Sequence, residues 1–208
     1  MRGELAVGIV VFEGADEMDV VGPYRVLGGV NDVRTFVDAP RVKLHLVAEK
    51  KEALHLAFGL EVTPTHEFQD CPPLDVLVIP GGSSNNERPG RRVQQRNESL
   101  RGFVLKHAAG ADVTASVCTG TFILAEAGLL SGRRANTNAF YRQELKELMD
   151  SRGETFVLVP ERVVWDERLA TAGGVTSGID LGLSVVERLC GAGVRRAVEV
   201  ALELETPS

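Results

Sequence analysis

The sequence predicts an α/β protein: a three-layer sandwich with a mostly parallel central sheet between helices. Three observations carry that prediction. Strand-like and helix-like segments alternate along the whole chain, the order that parallel βαβ units produce. Residues 5–12 (LAVGIVVF) and 75–80 (DVLVIP) are near-continuous apolar runs, as expected of strands covered on both faces. A third run, residues 112–117, passes through Cys118-Thr119-Gly120-Thr121 into a helical stretch. That strand-turn-helix elbow raises a side chain at the carboxyl edge of a sheet.

Each element follows in order. After the strand at 5–12, residues 19–29 form an amphipathic helix pattern, and 42–48 (VKLHLVA) alternates as a half-exposed strand does. Residues 54–64, split by Gly59, read as a short hairpin excursion. The strand at 75–80 stops at Pro80-Gly81-Gly82, and the polar, charged stretch 83–96 reads as a solvated loop. A helix is expected near 97–109, a second strand-to-helix passage through the elbow into 122–127, and a glycine stop at Gly132. Residues 140–149 read as a helix, 155–159, 162–165 and 169–172 as strands, and 179–189 and 194–204 as the closing helices. Trp165 and Phe12, Phe36, Phe58, Phe122 and Phe156 are expected in the core.

Composition narrows the function. At 208 residues and 44% hydrophobic content the chain fits a single domain over 1–208. A net charge of -6, with Lys and Arg no more than paired, argues against a nucleic-acid footprint. No apolar stretch approaches the roughly 18 residues of a membrane span, and the amino terminus has no signal-peptide pattern. The three cysteines, Cys71, Cys118 and Cys190, form no CxxC or zinc-ligand spacing. Free thiols, a cytoplasmic setting and no metal are therefore expected.

Cys118 is the residue most suggestive of chemistry. At an elbow it faces the positive end of the following helix, which favours thiolate and lowers a thiol pKa from about 8.5 to roughly 3.5–7.5. A buried structural cysteine reads the same way. Cys71, beside Pro72-Pro73, and Cys190, before Gly191, have no supporting acid or dipole in the pattern. The four histidines, His45, His55, His66 and His107, read as surface or packing residues rather than bases.

Four segments in order then carry a resemblance: Ala15-Asp16-Glu17-Met18-Asp19 with Val20-Val21-Gly22-Pro23, Val78-Ile79-Pro80-Gly81-Gly82, Ala115-Ser116-Val117-Cys118-Thr119-Gly120, and Ala172-Gly173-Gly174-Val175-Thr176-Ser177-Gly178-Ile179-Asp180. Over nearly its whole length the chain resembles the ThiJ/PfpI superfamily, relatives of the class I glutamine amidotransferases, and within it the isonitrile hydratase branch. The resemblance implies a flavodoxin-like fold, a homodimer and no cofactor. It also implies hydration of an isonitrile to an N-substituted formamide.

The same resemblance makes Asp19 the acid beside Cys118. Like charges in a crevice would leave Asp19 protonated, able to give a proton while the Cys118 thiolate attacks the terminal carbon. A helix N-terminal carboxylate is the plain reading of Asp19. Thr119 is implied as functional through its N–H and hydroxyl, or is a turn residue. Gly81 and Gly82 are expected to offer N–H groups to a ligand, or to end a strand. Gly174 and Thr176 line the cavity, or form a tight turn before the last helices.

Two departures stand out. Thr119 occupies the position next to the nucleophile where other branches place a histidine. Thr137-Asn138-Ala139-Phe140 stands where many hydratase relatives have Thr-His-Trp, which changes the cavity wall. A cysteine-oxidation sensor and a small-ligand-binding module are the alternatives. Regulators with this fold add a helix-turn-helix, and the sequence contains no such segment, so DNA is not an expected partner.

Overall fold

The computed structural model describes residues 3–82 and 90–204. The strands are β1 (Glu4–Val10), β2 (Arg41–Ala48), β3 (Leu54–His55), β4 (Glu61–Val62), β5 (His66–Glu67), β6 (Val76–Ile79), β7 (Val113–Ser116), β8 (Arg134–Ala135), β9 (Val157–Leu158), β10 (Val163–Asp166) and β11 (Leu169–Ala172). The α-helices are α1 (Glu17–Val33), α2 (Arg91–Gln94), α3 (Glu98–Gly110), α4 (Thr121–Glu126), α5 (Arg142–Ser151), α6 (Ser177–Cys190) and α7 (Ala192–Ala201).

The central sheet has seven strands in the order β10-β11-β7-β6-β1-β2-β5. Every pairing in it is parallel except β10 with β11. This is the flavodoxin-like α/β architecture that the alternating pattern predicts. β6, β7 and β11 are buried at every residue. β6 (VLVI) lacks alternation for that reason, whereas β7 (VTAS) alternates and buries its polar members, Ser116 Oγ lying 2.8 Å from Thr121 Oγ1. β2 keeps several residues partly exposed, as its alternation predicts. α1 packs on α6 and α7, and α4 packs against α2 and α3, so helices flank the sheet.

Chain order reverses beside β1: β2 pairs on one side of it and β6 on the other. In open α/β sheets the crevice at such a switch point is the ligand site. Here the segments leaving β1, β6 and β7 carry Asp19, Gly81 and Cys118 respectively.

Several expectations change. α1 begins at Glu17 because Asp16 caps it, accepting from the N–H groups of Met18 and Asp19 at 3.0 and 3.4 Å. Of the expected loop at 83–96, residues 83–89 lie outside the described residues, while Arg91–Gln94 is a helical turn. Arg91 is fully buried rather than solvated. Its guanidinium lies 4.1 Å from the Phe122 ring centre and bonds Glu144 at 3.0 and 3.3 Å. A cation stacked on an aromatic face and forked onto a carboxylate has its burial offset on both sides.

The expected strand at 155–159 shrinks to Val157–Leu158 and pairs with Arg134–Ala135 outside the central sheet. Phe36 and Phe58 are exposed, not core, whereas Phe12 and Phe122 are buried. The excursion after β2 is a hairpin of β3 and β4. Leu56 is buried within it while Phe58 at its tip points outward. Glu17 Oε1 accepts from the N–H of Phe58 at 2.6 Å, which ties that tip to the start of α1.

Candidate active site

Cys118 stands just past β7 with φ of +54°, in the left-handed region. A non-glycine residue there stores about 1–2 kcal/mol of backbone strain, and its neighbours hold it in place. Its N–H donates to the Gly173 carbonyl at 2.8 Å, and its carbonyl accepts from the Thr137 hydroxyl at 2.8 Å. Gly120 lets the turn lie on the end of β6, because a Cβ there would collide with the Ile79 carbonyl. The elbow read from the sequence is therefore present.

Asp19 comes from the first turns of α1 and is fully buried. Its Oδ2 accepts from the Gly81 N–H at 2.9 Å, while Oδ1 has no hydrogen-bond partner among the described residues. Burial first, then the negative charge of Asp16, raises its pKa well above the ordinary carboxylate range; the Gly81 bond and the Cys118 thiol only partly oppose this. That setting favours the neutral carboxyl over the ionised one.

The thiol departs from its expectation. Burial, followed by the charge of Asp19 when ionised, pushes Cys118 up to about 12. The following helix is a 3₁₀ turn, Cys118–Gly120, leading into only six residues of α4, so its positive end is too short to outweigh burial. Three donors oppose that rise: the Thr119 N–H, the Asn138 amide at 3.5 Å and the Val175 N–H. The Asp19 part of that rise exists only while Asp19 is ionised, and burial alone still favours the thiol over the thiolate.

The remaining predicted residues take specific places. Gly81 and Gly82 do not present free N–H groups, since the first is bonded to Asp19 and the second donates to Thr119 Oγ1 at 3.2 Å. They organise the acid and the threonine instead. A Cβ on Gly81 would stand 2.6 Å from both Thr119 N and Oγ1 and 2.8 Å from Asp19 Oδ2. Thr119 is buried, with its N–H on the sulfur and its hydroxyl against Gly82. Gly174 lies against Asn138, where a Cβ would meet Nδ2 at 2.6 Å. Thr176 is exposed and its hydroxyl accepts from Arg162 at 3.3 Å.

Two residues at the sulfur come from segments singled out for other reasons. Asn138 was visible only as the residue standing in for a histidine. Val175 is β-branched yet has φ of +37°, a strained conformation that aims its N–H at Cys118. The preceding Gly173-Gly174 marked the turn but not the valine after it. Cys71 and Cys190 are buried free thiols pushed up to about 11, in both cases mainly by burial, which suits inert packing residues. His107 is likewise a packing residue, its ring 4.4 Å from that of Phe103. Among the described residues no group of side chains suits a metal ion, and no helix is long and apolar enough to cross a membrane.

Comparison with known proteins agrees with this geometry. Residues 6–188 match the DJ-1/PfpI family. Isonitrile hydratase of Pseudomonas putida is 35% identical over 199 residues, covering 96% of this chain and 78% of that protein. The Parkinson disease protein 7 homolog of Danio rerio is 23% identical over 213 residues, 99% of this chain and 100% of that protein. The crystal structure of a ThiJ/PfpI family protein from Pseudomonas syringae superposes with a TM-score of 0.85 at 28% identity, covering 100% of this chain and 78% of that one. Drosophila melanogaster DJ-1beta, at 19% identity and a TM-score of 0.79 over 98% and 100% of the two chains, shares the fold. An elbow cysteine strained at +54°, a buried acid beside it and a family match over most of the length lead to one conclusion: the chain belongs to the DJ-1/PfpI family.

Proposed function

We propose that this protein hydrates small isonitriles to N-substituted formamides, with Cys118 as nucleophile and Asp19 as proton carrier. The observation that carries this reading is the pairing of a buried carboxyl, its pKa raised, with an elbow thiol whose other polar neighbours among the described residues are the uncharged donors of Thr119, Asn138 and Val175. Such a pair has a proton and a nucleophile but no imidazole at the sulfur. That suits an addition, in which no amine leaving group must be protonated. The similarity to the Pseudomonas putida enzyme supports the same substrate class.

The chemistry balances without a cofactor. Asp19 gives its proton to the terminal carbon of R–NC while the Cys118 sulfur bonds to that carbon, and the thiol proton passes to Asp19. The product is a thioimidate, R–N=CH–S–Cys. Water then adds to the same carbon, the nitrogen takes up a proton, and the C–S bond breaks. R–NH–CHO leaves and the thiol is restored. No stored thiolate is needed, because the proton exchange with Asp19 accompanies the attack.

The test is conversion of a simple alkyl isonitrile in ¹⁸O-labelled water. The expected product is the N-substituted formamide with label in its carbonyl. Absence of turnover across alkyl and aryl isonitriles overturns the assignment and moves the question to oxidation of Cys118.

The same reading includes a homodimer, supported by an apolar face beside the site. Met18, Val21 and Tyr24 on α1 are exposed, and the hairpin tip adds Phe58 and Leu60, all apolar. The tip is held to α1 by Glu17, so these residues form one patch of the kind that a second copy covers. Sedimentation equilibrium is expected to give the mass of a dimer for the native chain and of a monomer for Val21→Glu. A monomeric native chain refutes the dimer.

A further inference from the structure

We infer that Asn138 is the residue that holds the Cys118 sulfur for reaction, as an amide donor whose orientation the fold fixes. The inference deepens the hydration reading and takes Cys118 as its nucleophile. Asn138 precedes the 3₁₀ turn Ala139–Tyr141, and its Oδ1 accepts from the Phe140 N–H at 3.0 Å. An amide oxygen held by a backbone N–H leaves only the NH₂ end to face outward, which settles the choice between oxygen and nitrogen. That end donates to Cys118 Sγ at 3.5 Å.

The segment grips Cys118 twice, since the preceding Thr137 hydroxyl holds its carbonyl at 2.8 Å. Gly174 supplies the space: a Cβ there would sit 2.6 Å from Asn138 Nδ2 and displace it. The second glycine of the Gly173-Gly174 pair thus has a role that a turn alone does not explain.

The chemical consequence is specific. An imidazole at this position would accept the thiol proton and titrate near neutral pH. An amide favours negative charge on sulfur by donating to it and can accept no proton from it. Asn138 therefore stabilises the sulfur as it becomes nucleophilic while leaving Asp19, among the described residues, as the only proton acceptor beside it.

The thiol itself supplies the test. Alkylation of Cys118 by iodoacetamide is followed against pH by peptide mass spectrometry, which separates it from Cys71 and Cys190. Asn138→Ala is expected to raise the apparent thiol pKa by about one unit, slowing alkylation about tenfold below that pKa, the size of a lost bond to a charged group. Asn138→Asp keeps the acceptor for Phe140 but turns an oxygen toward sulfur, so it should react more slowly still. Gly174→Ala should behave like Asn138→Ala without altering the asparagine, which guards against a folding defect in either variant. Asn138→His should add an inflection near pH 6.5.

Variants that follow the native curve overturn the inference, even if the native chain hydrates isonitriles. Shifted curves uphold it even if isonitriles are not turned over, in which case only the hydratase reading falls.

Discussion

Cys118→Ala is expected to lower isonitrile hydration by about 10⁴-fold or more, the scale seen when a covalent nucleophile is removed. Every step proposed here passes through the bond between Sγ and the substrate carbon. Neither Asp19 nor the N–H groups of Thr119 and Val175 can substitute for it. Residual activity above about one part in a hundred would mean that water is activated directly and that the sulfur only binds. The same position carries a stability test. Alanine keeps a β-carbon at φ of +54°, while glycine releases it. Cys118→Gly should therefore melt at or above Cys118→Ala, although glycine ordinarily costs about 0.5–1 kcal/mol relative to alanine. The usual order between the two would show that the elbow is unstrained.

That strained elbow was legible because it is a local pattern: a buried strand, a turn and a helix in direct succession. The same holds for β6, whose unbroken apolar run announces burial on both faces; β7 (VTAS) is equally buried with Thr114 and Ser116 inside it. What was not legible depends on contacts distant in sequence. Arg91 reads as one charge among many, and only the arrival of Phe122 and Glu144 makes its burial tolerable. Residues 155–159 have strand composition, yet their partner is Arg134–Ala135 rather than the main sheet, and pairing is not written in propensity. Phe36 and Phe58 are hydrophobic residues that the fold leaves exposed, a reminder that the rule runs one way.

The site divides along the same line. Asp19 and Cys118 lie ninety-nine residues apart in sequence and were joined only by resemblance. The sequence marks Gly81 as a donor to substrate, since glycine permits close approach. The close approach is real, but what comes near is Asp19 and Thr119. The thiolate expectation failed for a quantitative reason. The pattern implies a full helix end at the sulfur, whereas α4 has six residues and the sulfur is buried. Asn138 illustrates the converse, because a departure from a family pattern marked the position before its role could be named.

Asp19→Asn is expected to be more stable than the native chain and nearly inactive. Asparagine keeps an oxygen for the Gly81 N–H, now bonded at 2.9 Å, and places an NH₂ where Oδ1 has no partner among the described residues. It carries no transferable proton, so hydration should fall by about 10²–10⁴-fold, the contribution of a positioned acid. The sign of the stability change follows from the raised pKa of Asp19. Below the ordinary value of 3.8 the carboxyl is neutral both folded and unfolded, and the two chains should differ least. As pH rises from there, the unfolded carboxyl ionises while the folded one stays protonated, so the native chain loses stability until the pH passes the folded pKa. Asparagine does not titrate, and its advantage should widen across that window and then level off. Each kcal/mol of advantage corresponds to about 2–4 °C in Tm for a chain of this size. Thermal melts of both chains from pH 4 to 9 measure it. Parallel curves would mean that Asp19 is ionised in the fold, and a carboxylate there could not supply the proton on which the addition depends.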